Sequence, residues 1–328
     1  MPALRQSDRK LTIADIAGLT GSKLKQGGAA ERRFSNIATL DSAGATDLCF
    51  VDDAKFLPAL AQTRAGACLI APRFAESAPP RLTLLLNEQP YRAFITVARA
   101  LFPDALRPSS LFGVSGRAEG ARVHPSARIE AGVTIDPLAA IGPRAELGAG
   151  TVIAAGAVIG PDVCIGRHCA IGANTTVINA LIGDRVVLRP GSCIGHDGST
   201  HRGDSLGIGR VPQNRRIIIQ DDGEIGANAT IERGATRDTV IGEGTNVGNL
   251  ADIAHSAMIG RHCFVGPQSG IAAGVTIGDF VVINERVGVA EGLAIGNGAS
   301  VARGSMVSID LLAGARFGGA PESPGSGR

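Results

Sequence analysis

The amino-acid sequence predicts a mainly β protein, in which a solenoid of six-residue repeats follows a small α+β domain. The 328-residue chain changes composition near residues 121–124, since seven of its ten Phe and its single Tyr come before that point. In contrast, 36 of its 45 Gly come after it. From Val123 onward, every sixth residue is aliphatic. This period fits neither an α-helix nor a heptad, but it suits stacked short strands.

The first domain is expected to span residues 1–122 and to mix helices with strands. Helix-like spacing of apolar residues occurs over 13–19 and 90–102. Short apolar runs bounded by Asp, Gly or Pro predict buried strands. These runs are Asp47–Val51, Ala67–Ala71 and Leu82–Leu86.

The second domain, over residues 123–315, is defined by its aliphatic ladders. A small residue usually follows each ladder position, as Gly142 and Gly260 do. We expect three hexads to close a triangular coil, with the aliphatic side chains pointing inward and the small residues at the corners. Hexads of this form are similar to those of left-handed parallel β-helices. The ladder positions are Val123, Ile129, Ile135, Ile141, Leu147, Ile153, Ile159, Ile165 and Ile171, and then Ile241, Val247, Ile253, Ile259, Val265, Ile271, Ile277, Ile283, Val289, Ile295, Val301 and Val307.

Interruptions of the repeat predict departures from a smooth prism. The polar stretch 199–218 reads as a loop inserted at one corner, and solenoids often place such insertions on their binding face. A shorter irregularity follows Arg233. The last residues, 316–328, are rich in Gly, Ser and Pro and are expected to form a disordered tail.

Composition and motifs exclude several classes of protein. The formal net charge of +2 gives no sign of nucleic-acid binding, and no apolar run is long enough to span a membrane. The six cysteines form no CxxC pair, and the first residues lack the apolar segment of a secretory signal. We therefore expect a cytoplasmic protein with reduced thiols. No HExxH, GxSxG or P-loop motif is present.

Six histidines remain as candidates for chemistry. His168 and His262 hold the fourth place of near-identical Ile-Gly-Arg-His-Cys strings and are interpreted as outward-facing repeat positions. His255 is third in its hexad, just after an inward Ile253 and the small Ala254, so its ring should project outward near an edge. A packed prism offers only outer faces for a site, and a slender one is expected to assemble with other subunits.

The surroundings of His255 resemble those of the catalytic base in a known family. Gly248-Asn-Leu-Ala-Asp-Ile-Ala-His255 is similar to a segment of the acyl-carrier-protein-dependent UDP-3-O-(3-hydroxyacyl)glucosamine N-acyltransferases of lipid A biosynthesis. The resemblance covers nearly the full length. Four further stretches carry it: residues 225–242, 194–198, 47–56 and 314–321.

The resemblance implies a reaction and a set of roles. A homotrimer would transfer a 3-hydroxyacyl chain from acyl carrier protein to the 2-amino group of UDP-3-O-acylglucosamine, with no metal or diffusible cofactor. His255 would be the general base, and the backbone N–H of Ala273, one coil further on, would bind the oxyanion. Asn249 and Asp252 would contact the substrate.

The resemblance implies further roles for residues away from the His255 segment. Phe50 and Phe56 would flank the uracil near Asp53, and Met306 would help to limit the acyl-chain length. Core packing for the two Phe and a plain structural role for Met306 are the alternatives.

The sequence also departs from the family pattern. Gly248 stands where relatives have Asp, Asp252 where they have Gln, and Gly292 where they have a second His. The Phe expected after Gly198 is missing, and the last residues given are not expected to form the C-terminal helices of relatives. Two alternatives therefore stay open: a catalytically impaired paralogue that serves as a trimeric binding scaffold, and an N-acyltransferase for another nucleotide amino-sugar.

Overall fold

The computed structural model describes residues 9–26, 31–198, 201–204, 207–210 and 212–318. The chain forms two compact units, which divide between Leu106 and Arg107. This division precedes the boundary at 122/123 that composition predicts. The reason is that the β-helix begins to pair earlier: Arg117 bridges to Ile135, and the Ala118 N–H donates to the Ile135 carbonyl at 2.8 Å.

The N-terminal unit is built on a five-stranded sheet. Strand Lys23–Gln26 runs antiparallel to its neighbour, and the other neighbouring pairs are parallel. Alternate residues of the central strands enter two apolar clusters, as a strand period of two requires. In spatial order the strands are Lys23–Gln26, Thr83–Leu86, Ala67–Ile70, Asp47–Val51 and Asn36–Ile37.

Helices and a small second sheet complete this unit. Leu11–Thr12 pairs with Arg33–Phe34. The two predicted helices and three predicted strands are all present, whereas the helix Leu57–Gln62 and the strand Lys23–Gln26 were not predicted. The α-helices are Ile13–Thr20, Leu57–Gln62 and Pro90–Leu101, and the 3-10 helices are Ala54–Phe56, Pro72–Ser77 and Pro103–Leu106.

The second unit is the predicted left-handed parallel β-helix, with three parallel sheets that we call faces 1, 2 and 3. The chain visits them in that order in every coil. Face 1 consists of Thr134–Ile135, Val152–Ile153, Ala170–Ile171, Val187–Leu188, Glu224–Ile225, Asn246–Val247, Phe264–Val265, Val282–Ile283, Ser300–Val301 and Arg316–Phe317. Face 2 consists of Arg122–Val123, Ala140–Ile141, Val158–Ile159, Thr176–Val177, Cys193–His196, Thr230–Glu232, Asp252–Ile253, Gly270–Ile271, Gly288–Val289 and Met306–Val307. Face 3 consists of Arg128–Ile129, Glu146–Leu147, Cys164–Ile165, Ala180–Ile182, Ile217–Ile219, Thr239–Ile241, Met258–Ile259, Thr276–Ile277 and Ala294–Ile295.

The aliphatic ladders form the core, as predicted, except in the first coil, where Ile129 is 39% exposed. Residues eighteen apart lie side by side on neighbouring strands, so that Ile135 pairs with Ile153 and Ile253 with Ile271. Ile153, Ile253 and Ile283 are fully buried within one continuous apolar cluster. Removing such stacked branched side chains from water is the main favourable term in folding.

The corners lie slightly later in each hexad than the sequence suggested. Gly142 is second in its hexad and precedes the corner, whereas the fourth residue, Arg144, takes the left-handed φ of 57°. A Cβ on Gly142 would lie 2.9 Å from the carbonyl carbon of Gly160 in the next coil. The second place is therefore small because another coil is stacked on it.

Two predicted boundaries need correction. The insertion 199–218 ends sooner than expected, because Ile217–Ile219 is already a strand of face 3. Within the insertion, His201–Asp204 pairs with Gly207–Arg210 as a hairpin. The predicted tail 316–328 begins too early, because Arg316–Phe317 pairs with Ser300–Val301. Residues 319–328 lie outside the described part of the chain.

None of the helices in the described ranges has the length and apolar character that a membrane crossing needs.

Candidate active site

His255 lies at the corner between face 2 and face 3. It follows the face 2 strand Asp252–Ile253, and its side chain is partly exposed and outside the aliphatic core. Its Nδ1 lies 3.4 Å from the hydroxyl of Ser256, which leaves Nε2 on the other side of the ring. The outward position that the hexad register predicts is what the structure has.

The main chain around His255 is held at every polar atom. The His255 N–H donates to the Glu232 carboxylate at 2.9 Å, and its carbonyl accepts from the Gly274 N–H at 3.1 Å. The Ser256 N–H donates to Thr239 Oγ1, and the Ser256 carbonyl accepts from Arg237 Nε, both at 2.8 Å. Three side chains from one short segment therefore fix the orientation of this turn.

Glu232 is nearly buried one coil before His255. It is 9% exposed, and it lies against Gly198, where an added Cβ would come within 1.8 Å of its Oε2. The Gly198 N–H donates to Gln213 Oε1 at 2.9 Å, so the start and the end of the inserted loop meet here. The glycine of the Ile194-Gly-His-Asp-Gly198 stretch thus makes room for the carboxylate that binds the His255 backbone.

Ala273 lies directly above His255 in the next coil. Asp252–Ile253 pairs with Gly270–Ile271, so the two corners are stacked about 4.8 Å apart. The Ala273 N–H donates no hydrogen bond to any residue that the structure describes, although its carbonyl accepts from Gly292. His255 and Ala273 are the two predicted site residues that the fold brings together.

The N–H of Ala273 differs from its counterparts at some other corners, although the N–H groups of Ala155 and Ala173 likewise donate to none of the described residues. At the third place of several hexads, a side chain from the next coil accepts this N–H. Asn249 accepts from Ala227 at 2.8 Å, and Asp279 accepts from Arg261 at 2.8 Å. The residue above Ala273 is the exposed Glu291, for which no such bond exists among the described contacts.

Asn249 and Asp252 are not at the same corner as His255. Asn249 is exposed at the corner between face 1 and face 2, where its side chain caps the coil before it. Asp252 is exposed on face 2 and accepts a hydrogen bond from Thr230 Oγ1 at 2.5 Å. Each has a structural contact of its own, and their predicted contacts with substrate stay a prediction.

The family departures at Gly248 and Gly292 have local explanations. A Cβ on Gly248 would lie 2.5 Å from the Pro267 nitrogen, so a side chain there would push the next coil away. Gly292 has a left-handed φ of 72° with open space around it. Neither glycine supplies a side chain that could support His255.

Met306 is 68% exposed on face 2 and lines a cavity of about 1300 Å³ at the C-terminal end of the β-helix. Its Sδ and Cε lie over Gly288, where a Cβ would come within 2.8 and 2.6 Å of them. Met306 is a flexible apolar side chain, and its neighbour Gly288 has no side chain beside it. This arrangement is compatible with the predicted contact to an acyl chain.

In the N-terminal unit, Phe50 and Phe56 line one cavity of about 340 Å³, together with Phe94, Leu40 and Asp41. Phe50 packs on Phe94 with ring centroids 4.8 Å apart, whereas Phe56 is 37% exposed under the Lys55 ammonium. Phe50 therefore belongs both to the core margin and to a pocket wall, and its contact with the uracil stays a prediction.

Asp53 begins the 3-10 helix Ala54–Phe56 and is not among the lining residues of this cavity. Its carboxylate accepts the Lys55 N–H at 3.0 Å. This bond, together with the Lys55 side chain, lowers the pKa of Asp53 below its usual value. A role as a helix cap accounts for this residue.

Glu232, Arg237 and Thr239 are site residues that the sequence analysis missed. The signal that could have found them is the spacing of ten residues, instead of six, between the inward Ile231 and Ile241. The additional residues carry Arg237 to the corner of the next coil.

Comparisons with known proteins define first the class and then the family. Residues 126–161, 144–179 and 238–273 match the model of the bacterial transferase hexapeptide, six repeats, and residues 31–100 match that of UDP-3-O-(3-hydroxymyristoyl) glucosamine N-acyltransferase, LpxD. The UDP-3-O-acylglucosamine N-acyltransferase of Methylobacterium sp. is 49% identical over 96% of this chain and 89% of its own. That of Azorhizobium caulinodans is 51% identical over 98% of this chain and 91% of its own.

Among solved structures, LpxA from Bacteroides fragilis, a UDP-N-acetylglucosamine acyltransferase, matches 59% of this chain and 68% of its own, with 24% identity and a TM-score of 0.46. The near-full-length identities with the curated relatives place the protein among the acyltransferase enzymes. The chain belongs to the UDP-3-O-acylglucosamine N-acyltransferase family, which confirms the resemblance noted in its sequence.

Proposed function

We propose that this protein transfers a 3-hydroxyacyl chain from acyl carrier protein to the 2-amino group of UDP-3-O-acylglucosamine, a step of lipid A biosynthesis. Family membership supports the acceptor and the type of reaction. The carrier-protein donor, the homotrimer and the cytoplasmic location are parts of this proposal that follow from the resemblance.

His255 acts as the general base. An amine attacks a thioester only when its nitrogen lone pair is free, so a group that titrates near neutral pH is suited to removing its proton. As the C–N bond forms, the proton passes to the imidazole and the carbonyl electron pair moves to oxygen. When the intermediate collapses, the C–S bond breaks, and the carrier thiol leaves with the proton returned by His255.

The Ala273 N–H stabilises the oxyanion. A main-chain donor that has no partner in the resting protein needs no rearrangement before it binds the developing charge. It lies one coil from His255 on the same edge, within the reach of a single thioester carbonyl. Alanine preserves this N–H as well as the glycine of relatives does.

The N-terminal unit holds the uridine of the acceptor. The exposed ring of Phe56 and the half-buried ring of Phe50 offer stacking surfaces in one cavity. Phe56→Ala is expected to raise the KM for the nucleotide acceptor about tenfold with little change in kcat, since about 1.4 kcal/mol of stacking corresponds to tenfold in affinity.

The observation that carries the proposal is the stacking of a partly exposed histidine, whose main chain is held by hydrogen bonds, against a main-chain N–H one coil away that donates to none of the described residues. The test is an assay of the purified protein with UDP-3-O-acylglucosamine and 3-hydroxyacyl carrier protein, in which the N-acylated product is measured for wild type and His255→Ala. Activity in the wild type and its loss in the variant would support the proposal.

The same assay separates the alternatives. Equal measurable rates for both proteins would overturn the assignment of His255 as the base. No turnover by either protein would favour a binding scaffold. Turnover of a different UDP-amino-sugar in preference to UDP-3-O-acylglucosamine would reassign the acceptor.

A further inference from the structure

We propose that Arg237 is a positioning residue that fastens the turn carrying the base to the turn carrying the oxyanion donor. Its Nε donates to the Ser256 carbonyl at 2.8 Å, next to His255. Its Nη2 donates to the Gly274 carbonyl at 2.8 Å, next to Ala273, and to Thr276 Oγ1 at 3.1 Å. One planar guanidinium thus spans both turns. This inference depends on the proposed function of His255 and Ala273.

The fold of the irregular segment 233–238 places the Arg237 side chain at the two turns. Ile231 and Ile241 are ten residues apart, four more than the repeat requires. The additional residues fold back tightly, since a Cβ on Gly234 would lie 1.8 Å from the Arg237 carbonyl oxygen. The Arg216 carbonyl holds the segment at its start and just after its end, because it accepts the Gly234 N–H at 3.4 Å and the Thr239 N–H at 3.0 Å.

The segment also removes an interaction that the regular corners have. At the fourth place of a regular hexad, the N–H donates to the main-chain carbonyl of the coil before it, as His262 does to Glu243 at 2.8 Å. Ser256 holds that place after His255, but its N–H donates to the Thr239 side chain instead. Because this turn lacks the ordinary main-chain bond to the coil before it, its position relative to that coil depends on the Thr239 and Arg237 side chains. Toward the next coil, one main-chain bond joins it to the Ala273 turn, from the Gly274 N–H to the His255 carbonyl at 3.1 Å.

The consequence for catalysis is geometric. The attacking nitrogen must meet His255 while the carbonyl oxygen meets the Ala273 N–H, so the offset between two stacked turns decides whether both contacts form together. Displacement of a catalytic group by about 1 Å can cost about 100-fold in rate. Arg237 adds to the single main-chain bond between the two turns, because its Nε and Nη2 bind one carbonyl on each of them.

The same two coils carry a matched control at another corner. Arg261 binds Asp279, eighteen residues further on, with its Nη2 at 2.8 Å from Oδ2. Arg261→Ala therefore removes a guanidinium bridge between the same coils, away from His255. A purely structural role for Arg237 predicts that both variants behave alike.

The experiment measures kcat, KM and Tm for wild type, Arg237→Ala, Arg237→Lys, Arg261→Ala and His255→Ala in the full-length protein. We expect Arg237→Ala to lower kcat by about 10- to 100-fold with KM for the acceptor nearly unchanged, and Arg261→Ala to stay within about twofold of wild type. Arg237→Lys reaches only one carbonyl and should give an intermediate kcat with a Tm close to wild type. This variant keeps the test decisive if Arg237→Ala does not fold.

A double variant adds a readout that a structural role would not change. If Arg237 acts through His255, Arg237→Ala should add little further loss to His255→Ala, because residues that act as a unit are not additive. Equal kcat losses in Arg237→Ala and Arg261→Ala, wild-type kcat in both Arg237 variants, or fully additive losses would overturn the proposal. Inactive wild type, or full activity of His255→Ala, would instead contradict the proposed function itself.

Discussion

Two histidine corners lie seven residues apart in one coil and are built in different ways. His262 takes a left-handed φ of 53°, bonds to the coil before it through its main chain, and stacks its exposed ring on Phe280 with centroids 5.3 Å apart. The turn of His255 is held by the side chains of Glu232, Thr239 and Arg237. The arrangement at His262 recurs at many corners of the solenoid, whereas the arrangement at His255 occurs at one corner of the described coils.

The difference shows which part of a repeat protein can carry a specific chemical function. A regular corner needs only a small residue before it and a tolerant residue at its fourth place, so it conveys no chemical information. At the His255 corner, the irregular segment of the coil before it replaces main-chain contacts with side-chain contacts. Such replacement fixes one turn more specifically than its neighbours, as an active site requires.

The largest expected effect separates the two histidines directly. His255→Ala should lower the rate of N-acylation by about 10²- to 10⁴-fold, since that is the range for loss of a general base. His262→Ala should leave it nearly unchanged because its ring contacts repeat residues. Initial rates at saturating substrate concentrations measure the activity of both variants. A comparable loss of rate in His262→Ala would contradict the different roles given to the two histidines.

The next effect concerns the open N–H one coil above. Ala273→Pro deletes this donor, and proline already stands at the same hexad place in Pro143, Pro161 and Pro267, so the backbone accepts it. We expect a fall in kcat of about 10²- to 10³-fold, as for loss of one oxyanion donor.

Two control variants accompany this change. Ala273→Gly keeps the N–H and should retain activity, and Ala155→Pro makes the same change at the same hexad place in a distant coil. If Ala155→Pro is as inactive as Ala273→Pro, proline harms the fold and the donor assignment fails.

A smaller effect is expected at Glu232. Glu232→Gln keeps an acceptor for the His255 N–H but removes the charge, and a hydrogen bond to a charged group is stronger by about 1 kcal/mol than a neutral one. This predicts a fall in kcat of about fivefold. Glu130 accepts the Ala149 N–H at 2.9 Å in the same register, so Glu130→Gln is the matched control and should have no effect on kcat.

The smallest effect belongs to the ion pairs of the regular corners. Arg144 donates twice to Asp162 at 2.7 Å, and this holds the pKa of the Asp162 carboxyl below its usual value. A depressed folded-state pKa gives stability that is present above about pH 4 and is lost as pH falls through the folded value.

Arg144→Gln should therefore lower Tm by about 1–2 °C at pH 7, since the pair is exposed, and this difference in Tm should narrow as the pH falls below about 4. Thermal unfolding at several pH values measures it. A gap that widens with acid would contradict the assignment.

The sequence was sufficient to predict the elements that depend on short-range pattern. The ladder predicted the buried residues from Ile135 to Val307, and the register predicted an outward His255 with Ala273 one coil later. It could not predict contacts that arise where the pattern fails. Arg237 reaches two turns only because four additional residues fold back on Gly234, and no periodicity encodes that path.

The predicted bounds of the insertion and of the C-terminal tail were wrong for a related reason. The insertion ends before Ile217, and a last strand forms at Arg316–Phe317, because pairing with a neighbouring coil extends order into polar sequence. Asn249 and Asp252 lie near His255 in sequence, yet a triangular coil distributes successive residues over different edges.

The open amide at Ala273 has a consequence for how such proteins diverge. Nineteen of the twenty amino acids would supply the same donor there, so substitutions can accumulate at this position without altering that part of the proposed chemistry. A function of the backbone N–H can therefore be retained when the side chain changes, and only substitution by proline removes the donor.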